Sequence, residues 1–72
     1  METTRDRRHP GDFGELVDMH QTEILRYLRR LTGSPTTAED LFQDTFLLAF
    51  RGFARLRPGS NHRAWLYRIA TN

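Results

Sequence analysis

The fold is decided by residues 12–33, DFGELVDMHQTEILRYLRRLTG. Apolar side chains recur there at helical spacing, and at about 100° per residue they fill an arc of roughly 120°, which predicts an amphipathic helix packed on a core. The stripe consists of Phe13, Leu16, Val17, His20, Ile24, Tyr27, Leu28 and Leu31. Asp12 and Glu15 have the spacing of a capping box, and Gly33 is typical of the residue that follows a helix. We therefore predict a helix over about residues 12–32.

Two further helices follow along the chain. Thr36 and Glu39 have capping-box spacing, which predicts a second helix over about residues 37–53. Its apolar residues sweep about 200°, too wide for one contact, so we predict a central helix with neighbours on two sides. These residues are Leu41, Phe42, Phe46, Leu48, Ala49, Phe50 and Phe53. Ser60 or Asn61 can cap a third helix over about residues 61–72, so the fold class is all-α, a small three-helix bundle.

The two ends of the chain differ from the rest. Residues 1–11 are polar, lack periodicity and end in Pro10-Gly11, which predicts a flexible N-terminal arm before a domain of residues 12–72. The third helix reaches Asn72 with no glycine, proline or polar run to end it. We expect that this helix is truncated at its C-terminus and that the chain is an N-terminal fragment.

Composition excludes several classes of protein. The chain has no cysteine, so it has no disulfide framework, zinc knuckle or thiol nucleophile. Its apolar runs are far shorter than the roughly 20 residues of a membrane span, and no signal peptide is visible, so we expect a cytoplasmic protein without membrane insertion. A walled catalytic pocket is hard to build from 72 residues, which argues against an enzyme.

Metal and cofactor sites are not indicated. His9, His20 and His62 are far apart, and none has a ligand partner one helical turn away in a known arrangement. His20 lies on the apolar stripe, where a hydrogen-bonded core histidine is favoured over a ligand. Asp40 and Asp44 have a spacing that can hold a hard cation, but exposed carboxylates of a helix are usually solvated. We predict no catalytic residue, no metal and no cofactor.

Charge is distributed unevenly about the net value of +2. All eleven basic residues are arginine, all nine acidic residues lie at or before position 44, and residues 46–72 contain five arginines and no acid. The basic segment interleaves aromatic and amide side chains with arginines, a composition suited to phosphates, unstacked bases and base edges. Tyr67 projects from the polar side of the third helix, where it can stack on an unpaired base. Trp65 lies on the apolar side, so core packing with one exposed edge is favoured.

Two motifs resemble a known family. The run AEDLFQDTF, residues 38–46, and the run AWLYRIATN, residues 64–72, are separated by a basic loop. In this order they closely resemble region 2 of bacterial RNA polymerase sigma factors of the extracytoplasmic-function (ECF) class. The likeness extends from about Phe13 to Asn72.

The resemblance implies two binding surfaces and no chemistry of its own. In the family, the second helix docks on the clamp coiled coil of the largest subunit of the polymerase core. Asp40, Gln43 and Asp44 match its polar positions, and Leu47 and Arg51 share their face. The loop and third helix of the family bind and melt the minus-ten promoter element and hold its non-template strand. That role carries over to Arg55, Arg57, Asn61, His62, Arg63, Trp65, Tyr67, Arg68 and Asn72.

An alternative function stays open. A helical module with the same faces can be bound by a protein alone, such as an anti-sigma factor. Binding to nucleic acid weakens steeply as salt rises, so salt response and strand preference distinguish the two readings. Arg5, Arg7 and Arg8 of the arm can also touch nucleic acid, although a solvated tail is the favoured interpretation.

Overall fold

The computed structural model describes residues 11–57 and 59–72. These residues form three α-helices and no strand: α1 spans Phe13–Thr32, α2 spans Pro35–Phe53 and α3 spans His62–Thr71. The all-α, three-helix fold is therefore confirmed. The arm predicted over residues 1–11 lies outside the described residues except for Gly11.

Local hydrogen bonds fix both ends of α1. The Asp12 carboxylate accepts the backbone N–H of Glu15 at 2.8 Å, and the Glu15 carboxylate accepts that of Gly11 at 2.6 Å. At the other end Gly33 has φ 69°, and its N–H donates to the carbonyl of Arg29 at 2.8 Å. This left-handed conformation favours glycine, so α1 ends there.

The predicted cap of α2 was wrong. Ser34, not Thr36, precedes the helix, and its hydroxyl accepts the backbone N–H of Thr37 at 3.2 Å. Proline suits the first position of a helix because a backbone N–H at that position would have no acceptor within the helix. α2 therefore begins at Pro35, two residues closer to the N-terminus than predicted. At α3 the structure selects Asn61 from the two candidate caps, since its side chain accepts the N–H of Ala64 at 3.0 Å.

Contacts between helix ends define the topology. The Phe13 ring at the start of α1 lies 5.3 Å from the Phe50 ring and 5.7 Å from the Phe53 ring, near the end of α2, so these helices are antiparallel. The Phe53 ring lies 6.0 Å from that of His62, so the end of α2 contacts the start of α3. Each helix contacts both of the others, so α2 has neighbours on two sides but is not unique in this.

All three helices contribute to the core. Leu16, Ile24 and Leu28 of α1 and Leu66 of α3 have no accessible surface, and each contributes about 1.5–3 kcal/mol by burial. The remaining buried apolar residues are Ala38, Phe46, Ala49 and Ala70. Two of the three buried apolar residues of α2 are alanines, Ala38 and Ala49. The larger buried side chains of α1 and α3 thus pack against small side chains of α2.

The last residue of the predicted stripe of α1 is exposed. Leu31 is 55% exposed, although its spacing matches the stripe. It lies one helical turn beyond Tyr27, whose hydroxyl forms a hydrogen bond of 2.8 Å with the Thr71 hydroxyl of α3. The other members of the stripe are buried or half-buried.

The predicted apolar arc of α2 is also too wide. Leu48 and Phe50, its two outermost members, are 52% and 62% exposed. Thr45 is buried instead, and its hydroxyl donates to the carbonyl of Leu41 at 2.7 Å, which satisfies the one polar group of this side chain. The buried side of α2 is therefore narrower than hydrophobicity alone predicts.

Candidate functional site

One candidate surface lies on the solvent side of α2. We call it the α2 face, and it comprises Asp40, Gln43, Asp44, Leu47 and Arg51. All five side chains are exposed, and their spacing repeats every three to four residues, so they share one side of the helix. Leu47 is 51% exposed at the middle of this polar group.

Sequence reasoning missed the two apolar flanks of the α2 face. Leu48 lies at one edge and Phe50 at the other, and the Phe50 ring leans on Phe13 while most of it stays exposed. The sequence did contain an indication of this exposure, because both residues lie at the ends of the 200° apolar arc. Residues at the ends of so wide an arc are the ones that neighbouring helices are least able to cover. With Leu47 they turn a polar stripe into a mixed apolar and charged surface, which is typical of protein interfaces.

Within the described residues, the charged groups of the α2 face make no ion pair with the rest of the chain. Asp40, Asp44 and Arg51 each point to solvent. They are available to a partner without first breaking an internal contact, which lowers the cost of docking.

A second candidate surface comprises the loop and the outer side of α3. We call it the outer α3 face, and it contains Asn61, Trp65, Arg68 and Asn72 together with the loop residues Arg55 and Arg57. All are exposed except Trp65, which is half-buried. The side-chain oxygen of Asn61 accepts the N–H of Ala64 as the helix cap, and its NH2 group remains able to donate to a ligand.

Trp65 packs against α2 at a glycine. A Cβ atom at Gly52 would lie 3.2 Å from Cζ2 of the indole, so the ring packs closely against the backbone of α2 at this glycine. Trp65 is half-buried, so it packs on α2 and still keeps part of its surface accessible, in agreement with its interpretation as a residue of the core that is not fully enclosed.

His62 does not face a ligand. Only 7% of its surface is exposed, and its ring faces that of Phe53 at 6.0 Å. His62 was predicted as a DNA contact, but the structure buries it: the first residue of α3 turns inward toward the end of α2 while the preceding Asn61 stays outside.

Arg63 and Tyr67 lie on the opposite side of α3 from Trp65 and Arg68. The Tyr67 ring is half-buried and stands edge-to-face with that of Tyr27 on α1, with centroids 4.9 Å apart. The Arg63 guanidinium lies 5.1 Å from the centroid of the Tyr67 ring. Spacing on α3 placed Tyr67 on the polar side of this helix, but it did not reveal that α1 covers this side and leaves the Tyr67 ring half-buried.

Glu23 joins α1 to α3. Its Oε1 accepts hydrogen bonds from Nε of Arg63 at 2.8 Å and from the Tyr67 hydroxyl at 3.1 Å, and its Oε2 lies 2.7 Å from Nδ1 of His20. This carboxylate is 30% exposed, whereas the Arg63 side chain is 62% exposed. His20 is thus the hydrogen-bonded buried histidine that its place on the stripe predicts.

The electrostatics of this contact favour its charged form. Burial raises the pKa of the Glu23 carboxyl, but hydrogen bonds with His20, Arg63 and Tyr67 outweigh burial and hold that pKa below its usual value. The hydrogen bond to Glu23 raises the pKa of the Arg63 guanidinium. Burial, followed by the hydrogen bond to Glu23, raises the pKa of the Tyr67 phenol. Glu23 and Arg63 are therefore an ion pair at neutral pH.

Two further observations concern the part of the chain that the structure describes. No three histidine, aspartate or glutamate side chains gather there in a way that can hold a metal ion. None of the described helices combines the length and the apolar character that a bilayer-spanning helix requires.

The fold thus presents two surfaces: the α2 face, which is mixed apolar and charged, and the outer α3 face, where arginines surround Trp65. These features define a binding module. The chain matches the family model of sigma-70 region 2 over residues 16–72. It therefore belongs to the sigma-70 region 2 family, as its two motifs predicted.

Relatives support the same assignment. The chain is 42% identical over 62 residues to the ECF RNA polymerase sigma factor SigG of Mycobacterium tuberculosis, covering 86% of this chain and 17% of that protein. It is 44% identical over 63 residues to the RNA polymerase sigma factor YlaC of Bacillus subtilis, covering 88% and 36%. It is 38% identical over 71 residues to the ECF RNA polymerase sigma factor SigE of Mycolicibacterium smegmatis, covering 99% and 27%. The chain thus spans little more than a third of these relatives at most. No solved structure matches it significantly.

Proposed function

We propose that this chain acts in transcription initiation as a promoter-recognition module of bacterial RNA polymerase. Its α2 face docks on the clamp coiled coil of the polymerase core. Its outer α3 face recognises the minus-ten element and holds the non-template strand as the duplex opens. The polymerase carries out the chemistry, so the module needs no catalytic residue, metal or cofactor.

The single observation that carries the proposal is the α2 face itself. Five residues named from the family motif and its helical register are all exposed on one side of α2. Leu47, Leu48 and Phe50 are all more than half exposed and adjacent on the helix surface, and a docking surface explains such a group of exposed apolar side chains. Charged side chains around these three suit a partner that must later be released.

The DNA contact is supported by charge and shape on the outer α3 face. Arg55, Arg57 and Arg68 are exposed and make no ion pair within the described residues, so they can neutralise phosphates. The accessible edge of Trp65 offers a surface for an unstacked base.

Capture of an opened strand has a simple energetic form. Removing a base from the duplex stack costs about a few kcal/mol. Stacking on an aromatic side chain returns about 1–3 kcal/mol per base, and release of counterions from the phosphates adds to it. Binding of the open strand therefore shifts the equilibrium toward melting, without any bond being made or broken by the module.

The test is a titration of the labelled chain with bacterial core RNA polymerase. We expect the double variant Gln43→Ala/Asp44→Ala and the single variant Leu47→Ala to bind about tenfold more weakly or worse, because interface residues of this kind contribute about 1–2 kcal/mol each. Helicity by circular dichroism should not change, since all three side chains lie outside the core.

Matched controls exist on α1. Asp18→Ala/Gln21→Ala removes one aspartate and one glutamine from exposed positions of α1, and Met19→Ala removes an apolar side chain that is 38% exposed. Equal affinities for the α2 and α1 variants would refute the docking face. Normal polymerase binding without any binding of single-stranded DNA would favour the alternative of a module bound by protein only.

A further inference from the structure

The side of α3 that faces α1 has the composition of an anion site. Arg63 presents its guanidinium against the Tyr67 ring at 5.1 Å, and the Tyr67 hydroxyl points to the same acceptor as Arg63 Nε. Guanidinium and phenol donors that converge on one point bind carboxylates and phosphates with similar geometry. In this structure the acceptor is the chain's own Glu23.

The same place is open to a ligand from outside. A groove of about 570 Å³ runs between α1 and α3, and its wall includes Glu23, Arg63 and Tyr67. Arg26 and Arg30 of α1 also line this groove and make no ion pair among the described residues. Three arginines against one carboxylate leave the groove positive, even with Glu23 ionised.

The contact between Glu23 and Arg63 is accessible enough to exchange. The Arg63 side chain is 62% exposed and the Glu23 side chain 30% exposed, so neither partner is locked inside the core. Ion pairs at such exposure contribute about 0–1 kcal/mol, which a phosphate with more charge and more acceptor oxygens can exceed.

We propose that Glu23 is an internal counter-ion that occupies an anion site formed by Arg63 and Tyr67, and that a phosphate of single-stranded DNA displaces it. The inference rests on the proposed DNA-binding function and adds its regulation. Glu23 withholds one arginine and one tyrosine from nonspecific DNA, and a strand already held by the loop arginines gains them only by replacing the carboxylate. DNA is favoured over an acidic peptide because Arg63 lies in the first turn of α3, directly after the loop that carries Arg55 and Arg57, so a strand on that loop can reach the side of α3 that faces α1.

The experiment measures anisotropy of a fluorescein-labelled single-stranded dodecanucleotide with the full 72-residue chain over a salt series. Glu23→Gln keeps an acceptor for the Tyr67 hydroxyl but frees the charge of Arg63. We expect it to steepen the slope of log K against log salt by about 0.7 and to tighten binding about fivefold near 0.1 M salt, the effect of one added phosphate contact. If Glu23 were only a structural contact, its loss would weaken DNA binding. The direction of the change in affinity therefore distinguishes a counter-ion from a structural contact.

Two controls make the result specific. Asp18→Asn removes the same charge from an exposed position of α1 and should change affinity less than twofold. In the background of Arg63→Ala, Glu23→Gln should have no effect, because the site that it vacates has lost its cation.

Each other outcome has a definite meaning. If Glu23→Gln matches Asp18→Asn while Arg55→Ala weakens binding, the counter-ion is refuted and the DNA-binding function stands. If neither the parent chain nor any variant binds the oligonucleotide, both are refuted. If a polyglutamate dodecamer binds Glu23→Gln as tightly as the oligonucleotide does, the site takes acidic peptides and the assignment to DNA is overturned.

Discussion

At the scale of single residues, Glu23 shows how one carboxylate can link helices that are far apart in sequence. It is one turn from His20 on its own helix and forty residues from Arg63, yet it contacts both. Periodicity placed His20 and Tyr27 on the inner side of α1, but it assigned no role to Glu23. A contact between helices depends on their relative rotation, and a single sequence does not specify that rotation.

This contact makes stability depend on pH. The pKa of Glu23 is lower in the folded chain than in the unfolded chain, where it is about 4.3, so its stabilisation is complete above that pH and is lost as the pH falls through the folded pKa. We expect Glu23→Gln to lower the free energy of unfolding by about 1 kcal/mol or less at pH 7. The variant should also lose stability less steeply than the parent between about pH 5 and pH 3. Urea unfolding at several pH values measures both effects, and identical pH profiles would contradict them.

At the scale of elements, the sequence predicted the features that depend on neighbouring residues in the chain, such as helices and their caps. All three helices and the caps of α1 at Asp12 and Gly33 were predicted. The start of α2 and the exposure of Leu48 and Phe50 were not. A proline at the first helical position competes with a capping box two residues later, and the width of a buried face is set by neighbouring helices and not by hydrophobicity.

The start of α2 gives a direct test of this reading. We expect Ser34→Ala to destabilise the chain by about 1 kcal/mol, because it removes the acceptor for the N–H of Thr37. Thr36→Ala, which alters the cap that the capping-box pattern predicted, should change stability by less than about 0.5 kcal/mol, because Thr36 is exposed inside the first turn. Thermal unfolding of the two variants side by side decides between the caps, and a larger loss for Thr36→Ala would restore the original one.

At the scale of the whole molecule, the net charge of +2 conceals two surfaces of different character. The α2 face combines Asp40 and Asp44 with Arg51 and apolar side chains, whereas the loop and the outer side of α3 carry arginines and no acid. The candidate DNA residues proved to be the least predictable from sequence. The motif identified the segment, but α3 distributes it over three directions: outward at Arg68, toward α1 at Tyr67 and into the core at His62.

If local charge and not net charge governs DNA binding, removal of two arginines from the loop should weaken binding strongly. Removal of two acidic charges elsewhere on the surface should leave binding almost unchanged. Arg55→Gln/Arg57→Gln removes two phosphate contacts, so we expect the slope of log K against log salt to fall by about 1.4 and affinity for a single-stranded oligonucleotide to drop about 25-fold near 0.1 M salt. Asp18→Asn/Glu39→Gln raises the net charge by two at exposed positions of α1 and α2 that belong to neither face. At that ionic strength screening acts over about 10 Å, so this variant should bind within about twofold of the parent. Anisotropy titrations across salt measure both, and a gain for the second variant as large as the loss for the first would mean that total charge attracts DNA without a defined face.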